Sequence, residues 1–404
     1  MNKSVIFVTP WLHDGGIERN LEIKAPWFAQ RGYRVAVASW QMSPVLSGSP
    51  NPVFQTLQRA GIPLIDLAVT GRRHQLMHRA ARLASLCAAA GVDVIVGHET
   101  LGNAASILAK LMLCGRCRVV AEFHNAMIYP SPGFGPLMAA CVRQLYRAAD
   151  GFLAVSEAMA DEAAEFFRLP RHAIDTVYNP FNPQAIRALA AEPPSIELPA
   201  EPFIVGCGRL VKAKGFDELI EAFAIVRGTR PLKLVILGEG PERGALLECA
   251  RAQGVADDVV LPGFVTNPFA VFGRAAAFVL SSRYGEAFSR VLVEAMACGV
   301  PVVASRCRWG PEEVLAGGRF GRLYDVGDIG QLAAALEGVF TDPAATAAMA
   351  AAAQGRVREF SADEILPRLE RVYFSEGARP RGWRRLLTTA SRSAPRAAPT
   401  VARS

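Results

Sequence analysis

Short runs of core-type residues alternate with longer segments of helical period from the start of the chain. Val5–Val8, Arg34–Ala38, Ile62–Leu67, Asp93–Val96, Val119–Phe123 and Phe152–Val155 are apolar and rich in β-branched side chains, so each predicts a buried strand. Between the first two, a loop holding Gly15-Gly16 leads into a predicted helix from about Ile17 to Gln30. Periodicity fades over the Pro-rich stretch from Asn182 to Pro202, which predicts a linker at 183–202. The series then restarts with Phe203–Cys207, Leu232–Leu237, Val259–Leu261, Phe278–Leu280 and Val302–Ala304. Strand and helix in alternation predict an α/β chain with two parallel-sheet domains, 1–182 and 203–355. A closing segment, 356–374, contains Ser361-x-x-Glu364, the form of a capping box, at the head of a helix reaching about Phe374 with Pro367 as a kink. Ligands of parallel sheets bind beyond the carboxyl ends of the strands, so polar residues just after each strand are the candidates for chemistry.

The length of 404 residues suits two domains, and 51% hydrophobic with 20% charged residues fits an ordered globular chain. No apolar run approaches the roughly 20 residues that span a bilayer, and the start MNKSVIFVTPW turns polar too soon for a signal peptide. A cytoplasmic location is therefore expected. The eight cysteines, at 87, 114, 117, 141, 207, 249, 298 and 307, sit mostly in apolar segments, as reduced buried thiols do. Cys114-Gly-Arg-Cys117 has no second pair or histidine at ligand spacing, so no metal site is expected there.

The net charge of +7 belongs to one end. Residues 379–404 hold seven arginines and no acid, and without them 37 basic residues face 37 acidic ones. This tail, within 375–404, reads as disordered; Trp383 and Leu386-Leu387 leave open whether it touches an anionic membrane or is merely solvated. Nucleic acid is not an expected partner, because no aromatic and basic interleaving accompanies the charge. A second basic segment, Gly71–Gly91, carries Arg72, Arg73, His74, His78, Arg79 and Arg82 beside Leu76, Met77, Leu83, Leu86 and Cys87. It reads either as an amphipathic helix resting on a membrane or, somewhat better, as an ordinary surface helix.

The most informative stretch is SSRYGEAFSRVLVEAMACGVPVVAS, residues 281–305. A polar loop feeds an apolar-periodic helix, Gly299 fits its stop, and Pro301 leads into the strand Val302-Val303. The free N–H groups of Ala287, Phe288 and Ser289 at the helix start suit an anion, and the carboxylates of Glu286 and Glu294 suit hydroxyls. A ligand with phosphates in its middle and polyols at its ends meets both needs, and nucleotide sugars have that form.

This segment, with Glu286-x7-Glu294 inside E-A-F-S-R-V-L-V-E-A-M-A-C-G-V-P-V-V-A, resembles the signature of retaining GT-B glycosyltransferases, closest to glycosyltransferase family 4. The resemblance implies two Rossmann-like domains facing across a cleft, with the last helix returning to the first domain. It assigns Arg209 and Lys214, from Gly208-Arg209-Leu210-Val211-Lys212-Ala213-Lys214-Gly215, to the donor diphosphate, in place of the metal that other glycosyltransferases hold with Asp-x-Asp. No such motif, and so no metal or cofactor, is expected. Glu294 would hold the ribose, Glu286 the transferred sugar, and the backbone from Ala287 to Arg290 the sugar or phosphates. Gly238-Glu239-Gly240-Pro241 resembles the family's G-x-G-P turn, and Gly263-Phe264-Val265 the segment against the nucleobase. In the first domain, Gly15-Gly16 would approach the donor and His124 matches the family's active-site histidine. His98-Glu99 is a further candidate for the acceptor pocket.

The resemblance implies transfer with retained configuration from a nucleotide sugar, most readily a UDP-sugar, to a glycan or lipid-linked acceptor in surface polysaccharide or lipopolysaccharide assembly. Peripheral attachment to the inner face of the plasma membrane is compatible with it. A GT-B nucleotide-sugar epimerase and a catalytically silent nucleotide-sugar-binding scaffold are the alternatives. An NAD-linked dehydrogenase fits less well, since Gly-x-Gly-x-x-Gly follows the first strand of neither domain.

Overall fold

A computed structural model describes residues 3–12, 15–42, 45–46, 49–69, 75–124 and 136–375. Its first parallel sheet has seven strands in the spatial order Leu64–Asp66, Arg34–Ser39, Ser4–Thr9, Val94–His98, Arg118–Phe123, Gly151–Ala154 and Ile174–Thr176. The second has six, ordered Val259–Gly263, Lys233–Leu237, Phe203–Cys207, Ala277–Leu280, Val302–Ser305 and Arg322–Tyr324. Register keeps β-branched residues side by side, as where Val5 lies between Val35 and Val94. In each sheet the chain reverses its direction of travel beside the strand that starts it. The loops after Ser4–Thr9 and Val94–His98 therefore open on one crevice, and those after Phe203–Cys207 and Ala277–Leu280 on the other.

Ile174–Thr176 and Arg322–Tyr324 are edge strands absent from the sequence reading; three residues with mixed burial are too short to show a period. The predicted linker is partly regular. Asn182 caps a helix Pro183–Ala191, accepting from the Ala185 N–H at 3.0 Å, and that helix is fastened to the second domain by Asn267 Nδ2 to the Leu189 carbonyl, 2.9 Å.

The capping box expected at Ser361 does not form. Ser361 stands at the N-cap, but its hydroxyl makes no capping bond. The chain is instead clamped by Phe181, whose N–H donates to the Phe360 carbonyl (2.9 Å) and whose carbonyl accepts from Ala362 (2.7 Å). With one orphan N–H taken that way, the side chain is not needed. The helix Ala362–Phe374, with Pro367 inside it, then buries Ile365, Leu366, Leu369 and Tyr373 among Phe7, Phe28 and Val37 of the first domain.

The two domains share a continuous core. Phe288 of the second packs against Tyr178, Phe181 and Phe360 at ring separations of 5.6, 6.1 and 5.4 Å. Ser156, N-cap of the helix Glu157–Phe167, donates to the Ala287 carbonyl at 2.7 Å.

The basic segment forms a helix Gln75–Ala90 that turns Leu83, Ala84 and Cys87 into the first domain's core, as a surface helix of a globular domain does. Arg72, Arg73, His74 and the Arg-rich tail lie outside the described residues. Among the described residues no helix is long and apolar enough to cross a membrane.

Candidate active site

At the second crevice, three loops meet through their backbones. After Phe203–Cys207 the chain makes a turn at Gly208-Arg209 and a 3-10 turn Lys212–Lys214, ending at Gly215 with φ +60. Gly208 and Leu210 donate to the carbonyls of Leu237 and Glu239 (3.0 and 2.8 Å), which fixes this loop against Gly238-Glu239-Gly240. Gly238 has φ +132, and a Cβ there would run into the Gly208 carbonyl oxygen. On the other side Ser281 Oγ donates to the Lys214 carbonyl and Arg283 N–H to the Ala213 carbonyl, both at 2.8 Å. These contacts bring Lys214 Nζ to 2.5 Å from Glu286 Oε1, which also accepts from Ser282 Oγ at 2.8 Å. Glu286 is only 7% exposed, and its backbone is held by the Gly310 N–H, 2.7 Å from its carbonyl. Arg209 is exposed on the same loop.

The helix Arg290–Cys298 starts at Ser289 and stops at Gly299 in the left-handed region, φ +80, as its sequence predicts. The Ser289 hydroxyl is buried and has no hydrogen-bond partner among the described residues. Arg290 does not simply line this helix end. Its guanidinium crosses to the first domain, where it bonds Asn20 Oδ1 and lies 4.2 Å from the Phe181 ring, while Nη2 stays 3.5 Å from Glu294. A Cβ on Gly16 would lie 3.4 Å from Arg290 Cδ, ordinary contact distance, so the Gly15-Gly16 loop lies beside that side chain. Glu294 and Lys214 flank Cys207, whose thiol is pushed up to about 12 by burial and by Glu294, with Lys214 and Arg19 pulling the other way.

The first domain contributes a buried polar cluster. Glu122, fully buried on Arg118–Phe123, accepts from Lys24 Nζ and His124 Nε2 on one oxygen, each at 2.8 Å, and from the Tyr373 hydroxyl on the other. His98 Nε2 is 3.2 Å from the same oxygen but off the line of a hydrogen bond, and Nδ1 donates to the Val8 carbonyl at 3.2 Å. Burial pushes the Glu122 carboxyl up, yet Lys24, His98 and the bond from His124 hold it well below the usual range. Burial takes His124 down to about 4 against the pull of Glu122. The donor atoms of His98, Glu122 and His124 lie within 4.8 Å of one another, a spacing a metal could use, but Lys24 already sets a cation at the shared carboxylate.

Residues 15–180 match the family described as Glycosyl transferase 4-like domain, and residues 192–356 match Glycosyl transferases group 1. The chain belongs to the group 1 glycosyltransferases. One relative of this glycosyltransferase is the N-acetylgalactosamine-N,N'-diacetylbacillosaminyl-diphospho-undecaprenol 4-alpha-N-acetylgalactosaminyltransferase of Campylobacter jejuni. It is 27% identical over 288 residues, covering 71% of this chain and 77% of that protein. A glycosyltransferase from Rickettsia africae superposes with a TM-score of 0.77 at 17% identity, over 92% of this chain and 98% of the other. Anabaena HepE, solved in complex with UDP, does so with 0.73 at 21% identity, over 92% and 98%. At these identities the structures speak to the fold, which is GT-B.

In this glycosyltransferase the sequence-predicted residues are thus distributed unevenly. Lys214 meets Glu286, and Arg290 meets both Glu294 and the Gly15-Gly16 loop. Gly238 supports the Arg209 loop, and Phe264 is 66% exposed. Ala287 and Phe288 are buried, their side chains turned to the domain joint, which leaves backbone as what they can offer. His98 is wholly buried beside His124. Lys24, Glu122 and Tyr373 went unpredicted. An acid inside the apolar run Val119–Phe123 was the available signal for Glu122; nothing local marks the other two.

Proposed function

We propose that this glycosyltransferase is a retaining, metal-independent enzyme that moves a hexose or N-acetylhexosamine from a UDP-sugar to a glycan or lipid-linked acceptor, in cell-surface polysaccharide or lipopolysaccharide assembly. The observation that carries the reading is the Lys214–Glu286 contact of 2.5 Å between two strand-end loops of the second sheet. It sets a cation for phosphate beside a carboxylate for sugar hydroxyls. Arg209 on the same loop and the unpartnered Ser289 hydroxyl at a helix start add donors for the diphosphate. UDP and the N-acetylhexosamine are carried over from the relatives above: HepE was solved in complex with UDP, and the Campylobacter jejuni protein is an N-acetylgalactosaminyltransferase acting on a diphospho-undecaprenol-linked sugar.

In the reaction, the bond from the anomeric carbon to the diphosphate oxygen breaks and its electron pair goes to that oxygen, whose charge Arg209 and Lys214 offset. The acceptor hydroxyl forms the new bond from the same face and gives its proton to the departing phosphate oxygen. Glu286 orients the sugar, its Oε1 held in place by Lys214 and Ser282. Glu294 takes the ribose. The cytoplasmic face of the plasma membrane is where such an acceptor would be met.

The test is a transfer assay with UDP-, GDP- and ADP-sugars against glycan and polyprenyl-diphosphate acceptors, with and without EDTA, reading the anomeric configuration by NMR. The expected result is an EDTA-insensitive product with the donor's configuration. An inverted product, or one that needs a divalent ion, overturns the mechanism. Free rearranged nucleotide sugar would point to an epimerase.

A further inference from the structure

Glu122 is hydrogen-bonded from three directions. Lys24 reaches it from the helix Gly16–Gln30, Tyr373 from the returning helix, and His124 from two residues along the chain, while His98 Nε2 of the neighbouring strand lies 3.2 Å away. Asn103 Nδ2 donates to its backbone carbonyl at 2.9 Å. An ionised carboxylate only accepts hydrogen bonds, so the 2.8 Å contact to His124 Nε2 requires the proton to be on that nitrogen. A neutral imidazole has one N–H, which makes Nδ1 an acceptor. Burial favours the neutral ring, and the charged or titratable groups that face it are Glu122, Lys24 and His98. His98 lies against the ring, centroids 5.3 Å apart and planes 24° off parallel, which fixes its orientation.

We propose that Glu122 is a positioning residue that holds His124 as the Nε2–H tautomer, so that the ring meets the donor sugar with Nδ1 as a hydrogen-bond acceptor. Lys24 and Tyr373 keep the carboxylate ionised and oriented, and Tyr373 thereby ties the seat of the last helix to the histidine. The sugar contact rests on the transferase reading above; the tautomer does not.

The experiment is long-range proton–nitrogen correlation NMR on the full chain labelled at histidine, with His124 assigned by loss of its signals in His124→Gln. The expected spectrum at pH 7 shows a neutral His124 protonated on Nε2. In Glu122→Leu the acceptor facing Nε2 is gone, so the Nδ1–H form should appear; glutamine would not serve, because its oxygen must stay toward Lys24, which shares that oxygen with His124. Then kcat should fall about tenfold or more while the KM for the donor stays put, the pattern of a contact made in the transition state. Wild-type His124 protonated on Nδ1, or on both nitrogens, overturns the proposal even if Glu122→Leu fails to fold. So does a Glu122→Leu enzyme with wild-type kcat. A correct tautomer in a chain that transfers no sugar would leave the positioning intact and sink the transferase reading instead.

Discussion

Replacing Gly238 by alanine should damage donor binding. The position has φ +132, which side chains rarely adopt, and the new Cβ would overlap the Gly208 carbonyl oxygen and come within 2.9 Å of the carbon behind it. Gly208 cannot yield freely, because its N–H is bonded to the Leu237 carbonyl at 3.0 Å. To reach ordinary contact the two loops must part by roughly 1.4 Å. Strain and overpacking together should cost about 2–4 kcal/mol of stability. The loop that moves carries Arg209 and ends at Lys214, and a misplacement of that size can cost about a hundredfold in rate. Gly244→Ala is the control: nothing lies within 4 Å of its Cβ and it sits in the helix Arg243–Ala252, so it should stabilise by up to about 1 kcal/mol. Chemical denaturation gives both stabilities, and calorimetric titration with UDP gives the affinities. A Gly238→Ala protein of wild-type stability and affinity would refute the packing of these loops.

Ser156→Ala should cost about 1–2 kcal/mol, since Ser156 both caps Met159 and bonds the Ala287 carbonyl; Ser361→Ala should stay within about 0.5 kcal/mol, and equal losses in urea melts would contradict the two cap geometries. Phe288→Ala should cost about 3–5 kcal/mol by emptying the aromatic joint, and native-state proteolysis should find the link near residues 192–202 newly accessible. Acid sensitivity has a definite sign. His124 falls from 6.5 to about 4 on folding, so its neutral ring favours the fold fully above pH 6.5, and that contribution is lost as the pH falls toward 4; Glu122, held low, loses its own only further down. Melting temperatures between pH 6.5 and 4 should therefore fall less in His124→Gln than in the wild type, and parallel curves would contradict the buried neutral ring.

The sheets were legible because a strand buried on both faces is a short unbroken apolar run, and Phe203–Cys207 was found with its ends intact. The edge strands escaped because half-exposed triplets such as Arg322–Tyr324 carry no pattern. The loop, helix and stop of residues 281–305 were equally plain, since Gly299 at positive φ is a local requirement. What failed was anything set by partners far along the chain. Lys24 is 98 positions from Glu122 and Tyr373 is 251, so neither shows in its own neighbourhood what it neutralises or bonds. Ser361-x-x-Glu364 misled for the same reason: a strand-like pairing with Phe181 took over the work of the cap. Arg290 was placed correctly on its helix, but only the folded pair of domains shows that its charge crosses the joint.

The most direct measurement is a thermal-shift panel of UDP, GDP and ADP, free and as sugar nucleotides, on the wild type and on the Arg209→Ala, Lys214→Ala double variant. If the strand-end loops of the second domain bind the donor diphosphate, UDP and UDP-sugars at about a hundred times Kd will add roughly 2.7 kcal/mol to the wild type. The double variant will lose that shift. No shift with any nucleotide, or an equal shift in the double variant, would contradict the donor site itself.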